Sequence, residues 1–485
     1  MNILCVASEC APFLKTGGLA DVVGALPKAL GRLGVKTRVV LPAYPALAPI
    51  AATGVQVASY DHSAFGTLNI LDASADGLDL FLVVAPQFFD RPGNPYLDAW
   101  GNDFSDNALR FGALSYAAAR LAHEGAGGFR ADVLHAHDWQ AGLAPAYLRF
   151  AGNFRVATVT TIHNIAFQGV FPPSLGAPLG LPSEAFNIDG FEYHGGISFL
   201  KAGLIYADRI TTVSPTYARE LSLPEFGLGF EGIVGARRNE LSGVLNGVDL
   251  DIWNPATDPH LTANYDASSL VARSDNRKSL LERFGLAIDD GAPLFCIVSR
   301  LTTQKGIDLV LEALPRLLAR GAGLVVLGTG SVDLENGLRA AARAHPTRIG
   351  VEIGYDEGLS HAMQGGADLI LVPSRFEPCG LTQLYGLRYG CLPLVARTGG
   401  LADTVIDANE AALAAGVANG FQFSPVTSAA LGDAIDRACD AFSHWDLWRA
   451  MMQNAMAHPV GWDTSAAAYK TLYETTKREL SGAAP

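Results

Sequence analysis

Short, almost uninterrupted apolar runs recur along the chain, each bounded by turn residues and followed by a stretch with helical spacing. NILCVAS opens the sequence; after a loop, LADVVGALPKALGRLG carries the helical period and TRVVLPAY returns to a strand. LFLVVAP near 80, DVLHAH near 133, ATVTTIH near 157 and DRITTVS near 208 continue the series. Strands this apolar belong in a parallel sheet covered on both faces. A second series begins after the turn-rich LNGVDLDIWNP: LFCIVSR, GLVVLG, RIGVEIGY, DLILVPS and CLPLVAR alternate with helical stretches such as IDLVLEALPRLLARG and LTQLYGLRYG. The pattern predicts an α/β protein of two doubly wound, parallel-sheet, Rossmann-like domains. Because ligands in such sheets bind beyond the carboxyl ends of the strands, two domains facing each other are expected to form a cleft.

Composition narrows the functional classes. Over 485 residues, 49% are hydrophobic and only 17% charged, which favours large buried interiors over disorder. A formal net charge of -13 disfavours a surface that wraps nucleic acid, so an anionic ligand has to meet a local cationic cluster. The six cysteines (Cys5, Cys10, Cys296, Cys379, Cys391, Cys439) contain no CxxC pair, which points to a reduced, cytoplasmic setting rather than a disulfide framework. MNILCVASE lacks a basic leader, and no apolar run approaches the roughly 18 residues of a membrane helix. No membrane association is expected.

One short word occurs twice: KTGGLADV at 15–22 and RTGGLADT at 397–404. Paired glycines before a helix permit positive φ and close backbone approach, while the amides and dipole of the helix start attract an anion. Lys15 adds a positive charge to the first copy. The first copy follows the opening strand of its domain and the second a late one, so the repeat is not a simple domain duplication. Neither copy is the GxGxxG of a nicotinamide enzyme, and GTGSVDLENG at 328–337 fails both that pattern and the phosphate loop GxxxxGK[ST].

The remaining motifs follow strands. SRLTTQKG puts Arg300 and Lys305 around one loop, where two cations can grip a diphosphate without a metal; the bland alternative pairs Arg300 with a structural carboxylate. In HAHDW, His135 and His137 share a strand face, but no third ligand cluster completes a zinc site, and the DLD pair Asp249 and Asp251 lacks further acidic ligands. No metal is expected. His163 and Asn164 follow ATVTTI and are placed at the same sheet edge as Asp138. In FEPCGLTQLYG, Glu377 follows DLILVPS, and Pro378 with Gly380 forces a tight approach to a helix whose free amides face the cleft. A sugar ring on a nucleotide diphosphate fits that layout; a capping role for Glu377 is the alternative.

KTGGLADV, HAHDW, HN, SRLTTQKG and PSRFEPCGLTQLYG, in this order over nearly the whole chain, resemble bacterial glycogen synthase and its plant relatives, the starch synthases. The resemblance implies the GT-B glycosyltransferase fold, with an N-terminal domain at 1–242 onto which a C-terminal helix at 459–485 packs back, and a nucleotide-sugar domain at 243–458. It implies retaining transfer of glucose from ADP-glucose, a substrate and not a cofactor, to the non-reducing end of glycogen or another α-1,4-glucan. By the same resemblance Lys15 and the amide of Gly18 contact the donor phosphates, Arg300 and Lys305 hold the diphosphate, and Tyr355 lies beside the adenine. Asp138, His163, Asn246, Glu377 and the turn of Cys379, Gly380, Leu381 and Thr382 surround the glucose. Many retaining enzymes of this fold carry a second glutamate where this chain has Tyr385, so a two-glutamate mechanism is not implied. UDP-glucose as donor, a pyridoxal-dependent phosphorylase and an inactive glucan-binding scaffold are the alternatives.

Overall fold

NILCV forms the first strand because β-branched and apolar side chains are buried on both of its faces; β1 (Asn2–Val6) becomes the middle of a nine-stranded sheet. The computed structural model describes residues 1–482 and divides them into two compact units. Unit 1 comprises Met1–Val213, Ala218–Asn246 and the chain from Trp462 on; unit 2 comprises Gly247–Gly461 and the short segment Ser214–Tyr217.

In unit 1 the strands of the large sheet are β1, β2 (Lys36–Pro42), β3 (Val55–His62), β4 (Gly66–Ala75), β5 (Leu78–Val84), β6 (Val133–His137), β7 (Ala157–Ile162), β8 (Arg209–Thr212) and β9 (Leu241–Gly243), and three short strands between 170 and 198 form a separate small sheet. Their spatial order is β9-β8-β7-β6-β1-β2-β5-β4-β3. The first seven in that order pair in parallel, whereas β4 pairs antiparallel with both β5 and β3. The antiparallel edge departs from the all-parallel expectation. Its strands are half exposed and mix polar with apolar residues, so they give no continuous apolar run. The order of connection reverses at β1, which pairs with β2 on one side and β6 on the other, making the carboxyl ends of β1 and β6 the switch point of this sheet.

Helices α1 (Gly18–Arg32), α2 (Asn107–Glu124) and α3 (Leu143–Phe150) belong to unit 1. Unit 2 contributes α4 (Ile307–Ala319), α5 (Thr382–Tyr389) and α6 (Gly399–Thr404), and α7 (Trp462–Leu480) closes the described chain as part of unit 1. Trp462, Ala466, Tyr469 and Tyr473 of α7 are buried in one cluster with Ile3, Val22, Leu26, Val133 and Val159, so the last helix completes the cover over β1, β6 and α1. Lys477 pairs with Asp132 at 2.6 Å at the start of β6.

Unit 2 holds a six-stranded, all-parallel sheet of β10 (Leu294–Val298), β11 (Gly323–Gly328), β12 (Ile349–Ile353), β13 (Leu369–Val372), β14 (Leu392–Ala396) and β15 (Phe421–Phe423), in the order β12-β11-β10-β13-β14-β15. The period of two assigns its side chains. Phe295, Ile297, Leu324, Val326, Leu369 and Leu371 enter one core, and Leu294, Cys296, Val325, Leu327, Ile370 and Val372 enter the other. Two buried faces explain why these strands read as unbroken apolar runs. Here the switch point lies at β10, between β11 and β13. Among the described residues no helix is long and apolar enough to cross a membrane.

Candidate active site

Each unit presents a set of the sequence-predicted residues just past the carboxyl ends of its parallel strands. In unit 1 the loop after β1 carries Lys15 and leads to Gly18, the first residue of α1; Asp138 directly follows β6, His163 follows β7, and Asn246 lies beyond β9. Buried Glu9 organises the first loop, its Oε2 accepting from the Thr16 amide at 2.5 Å and from Thr16 Oγ1 at 2.7 Å. Lys15 Nζ lies 2.9 Å from Asp21 Oδ1, so the lysine and aspartate of the first TGGLAD form an ion pair across the start of α1. Gly17 is extended at φ -158° with open space where a Cβ would sit. The expectation of positive φ is therefore not met in this copy.

Asp138 sits in the left-handed region at φ 54°, a conformation that costs a non-glycine residue about 1–3 kcal/mol and persists where its surroundings impose it. Its amide donates to Thr161 O at 2.9 Å, and its Oδ1 accepts from the His163 amide at 2.6 Å and the Asn164 amide at 3.4 Å. One carboxylate thereby joins the ends of β6 and β7. Desolvation outweighs those bonds and pushes the Asp138 carboxyl up to about 7. His163 is partly exposed, and its Nε2 lies 2.9 Å from Nδ1 of the buried His137. Burial lowers His163 to about 3 and also depresses His137, so both rings are neutral near pH 7. His135 stands beside His137 with ring centroids 4.1 Å apart; its nitrogens meet Tyr473 Oη at 2.7 Å and Thr161 Oγ1 at 2.6 Å. Asn246 is buried, and its Oδ1 has no hydrogen-bond partner among the described residues.

In unit 2 the loops after β10 and β13 are locked together. Gly306, at φ 72°, has Pro373 O only 2.1 Å from where a Cβ would be, which lets the two loops touch. Gln304 Nε2 donates to Phe376 O, and the Arg375 guanidinium grips Asp308 of α4 at 2.8 and 2.7 Å. In this frame Lys305 Nζ lies 2.5 Å from Glu377 Oε2, which also accepts from Ser374 Oγ at 2.8 Å. Glu377 therefore caps no helix with its side chain. Arg300 is exposed and makes no side-chain ion pair or hydrogen bond among the described residues, so the structural pairing considered for it is not seen. Cys379 is buried; Gly380, Leu381 and Thr382 lead into α5, whose first turn has no side-chain cap. Tyr355, beyond β12, is 78% exposed, with its hydroxyl donating to Glu357 Oε2. Tyr385 is buried in a stack, 3.6 Å from the Trp253 ring, which in turn lies 3.8 Å from His361.

The second TGGLAD follows β14 and lies against this turn. Gly399 has φ 45°, and a Cβ there would meet Glu377 O at 1.9 Å; a Cβ on Gly400 would meet Cys379 O at 2.3 Å. The Gly400 amide donates to Glu377 O at 3.2 Å and to Pro378 O at 3.1 Å. Asp403 binds the amide and hydroxyl of Thr216 at 2.8 and 2.6 Å, whereas its counterpart Asp21 binds Lys15. The two copies share a word, but Gly399 and Gly400 of the second make close backbone contacts, whereas Gly17 of the first has open space around it. Sequence reading passed over Ser374, Glu9 and the Cys5–His137 contact at 3.2 Å. A serine three residues before an acid was the available signal for Ser374; Glu9 meets Thr16 through the fold of a single loop, which spacing does not reveal, and Cys5 and His137 are remote in sequence. Asp249 Oδ1 accepts from the Asp251 amide, an ordinary turn, and no group of three or more His, Cys, Asp or Glu among the described residues is arranged to hold a metal.

Two predictions follow the geometry. Gly17→Ala should leave thermal stability close to that of the parent, while Gly400→Ala should lower it and disrupt the Glu377 turn; equal melting temperatures for the two variants would contradict the assignment. The raised Asp138 carboxyl stabilises the fold fully only below about pH 4, and that contribution is lost as pH rises towards 7. Asp138→Asn, which does not ionise, should gain stability relative to the parent by on the order of 3 kcal/mol between pH 5 and pH 8. Urea unfolding at the two pH values measures it, and a difference that is flat or of opposite sign contradicts it.

Comparison with known proteins agrees with this architecture. Residues 2–236 match the model of the starch synthase catalytic domain, and residues 279–454 that of the glycosyl transferases group 1. The chain is 60% identical to a glycogen synthase of Roseobacter denitrificans, covering 98% of this chain and 99% of that protein. It is 53% identical to a glycogen synthase of Rhodopseudomonas palustris over 98% of both. Among solved structures, the catalytic domain of starch synthase IV from Arabidopsis thaliana, bound to ADP and acarbose, superposes with a TM-score of 0.88 at 30% identity, covering 98% of this chain and 99% of that one. Sucrose-phosphate synthase from Thermosynechococcus elongatus shares the fold at TM-score 0.61 and 16% identity, with 98% of each chain covered. The chain thus belongs to the glycogen synthase family, enzymes of the GT-B glycosyltransferase fold.

Proposed function

We propose that this enzyme transfers glucose from ADP-glucose to the non-reducing end of an α-1,4-glucan, with retention of configuration. The observation that carries the reading is the Lys305–Glu377 pair, on the same loop as an exposed Arg300 that has no side-chain partner among the described residues, together with a helix start without a side-chain cap at the end of the unit 2 sheet. Such a cluster suits a ligand that is anionic at one end and hydroxyl-rich at the other. The ADP bound by the Arabidopsis relative favours adenine over uracil as the donor base.

Arg300 and Lys305 take the diphosphate, with the amides of Gly380, Leu381 and Thr382 adding dipoles and Tyr355 offering an exposed ring to the base. Within unit 1, Lys15 and the Gly18 amide are the groups suited to phosphate, and Asp138, His163 and Asn246 those suited to sugar hydroxyls; within unit 2, Glu377 and Cys379 address the glucose hydroxyls. When the bond from C1 to the phosphate oxygen breaks, negative charge grows on the diphosphate and positive charge on the ring. Fixed cations and amides stabilise the first without reorganising. The acceptor 4-hydroxyl then attacks from the face that the diphosphate leaves, passing its proton to the departing phosphate oxygen. A front-face course is favoured because position 385, where a second carboxylate would stand, is a tyrosine stacked on Trp253.

Radiolabelled ADP-glucose and UDP-glucose offered with glycogen should give incorporation with release of ADP, and the new linkages should be hydrolysed by an α-1,4-specific amylase. Lys305→Ala should lower turnover by about 100-fold or more, the loss found when one fixed donor to a developing anion is removed. Incorporation from UDP-glucose alone, or wild-type turnover in Lys305→Ala, would overturn the assignment.

A further inference from the structure

Behind His163 runs a line of buried groups that the proposed chemistry does not use. Cys5 on β1 places Sγ 3.2 Å from His137 Nε2, and His137 Nδ1 lies 2.9 Å from His163 Nε2. Cys5 and His137 are fully enclosed, and burial keeps the Cys5 thiol protonated. Both imidazoles are neutral, so each ring has one N–H donor and one acceptor nitrogen.

Only two proton arrangements connect the three groups. In the first, the thiol donates to His137 Nε2, His137 Nδ1–H donates to His163 Nε2, and the His163 proton is on Nδ1. In the second, His163 Nε2–H donates to His137 Nδ1, and His137 Nε2–H points at sulfur. The second leaves the buried thiol proton without an acceptor, since His137 is the only hydrogen-bond partner of Cys5 Sγ among the described residues. The first satisfies every buried donor and leaves the remaining N–H on the partly exposed ring, where His163 Nδ1 has no protein partner among the described residues. His135 does not compete, because its two nitrogens are engaged by Tyr473 and Thr161 and it meets His137 only face to face.

We infer that Cys5 and His137 are positioning residues that hold His163 in its Nδ1–H tautomer, so that His163 offers its ligand a hydrogen-bond donor. A donor at that nitrogen favours a sugar hydroxyl oxygen or a phosphate oxygen and disfavours a group that can only donate. The catalytic significance rests on the reading of His163 as a residue beside the transferred glucose, whereas the tautomer does not.

The test is long-range proton–nitrogen correlation on the full chain labelled with [15N]histidine, the His163 signals being identified by their loss in His163→Gln. The wild-type protein should show a protonated Nδ1 and an unprotonated Nε2 at His163. Cys5→Ser, which retains a donor, should show the same pattern. Cys5→Ala should show a mixture of tautomers together with a several-fold lower kcat for glucosyl transfer, restored in Cys5→Ser. A wild-type His163 protonated on Nε2, or a Cys5→Ala spectrum identical to that of the parent, overturns the inference. The wild-type spectrum decides the tautomer even where Cys5→Ala fails to fold. If the tautomer is as inferred but no glucose is transferred, the functional reading fails and the inference stands.

Discussion

The ion pair between Lys305 and Glu377 is the contact on which the unit 2 site depends. It joins the loops of two neighbouring parallel strands, β10 and β13, at the point where the sheet reverses its order of connection. Each partner needs the other. A buried carboxylate without the lysine would be poorly solvated, and the lysine without the carboxylate would lose the contact that fixes its long side chain. Around the pair, Ser374 accounts for a further bond to the same carboxylate oxygen, Gly306 lets the loops meet, and Gly399 with Gly400 fixes the backbone behind Glu377.

Unit 1 reaches a comparable result with different chemistry. Its ordered groups are held mostly by neutral hydrogen bonds and by one strained aspartate, Asp138, whose carboxylate bridges the ends of two strands. The buried histidines behind it are uncharged, and α7 seals them from water through Tyr473. Polar contacts of this kind are strong only in a water-excluded setting. The closing helix therefore contributes to the order of the site although its own side chains lie behind it.

Much of this was legible in the sequence because both sheets are buried. Runs such as LFCIVS and DLILVPS have two covered faces, and the loops that follow them carry the polar residues, so strand ends and site residues could be read together. The β3–β4 hairpin was missed for the opposite reason: its half-exposed strands carry no continuous apolar signal. Pairings across long sequence separations were also invisible, including Cys5 with His137 and Asp403 with Thr216, as was the short-range pairing of Glu9 with Thr16, which depends on the fold of its loop. The repeated TGGLAD shows the limit of reading by likeness. Identical letters serve an ion pair at the start of α1 in one copy and a backbone contact behind Glu377 in the other.

If the cationic loop of unit 2 exists to hold a diphosphate, the second phosphate of a bound nucleotide should provide much of the affinity. Calorimetric titration of the protein with ADP and with AMP tests this directly. The account predicts that ADP binds at least about tenfold more tightly, a difference of about 1.4 kcal/mol that a charge-assisted bond readily supplies. Equal affinities for the two nucleotides would contradict it.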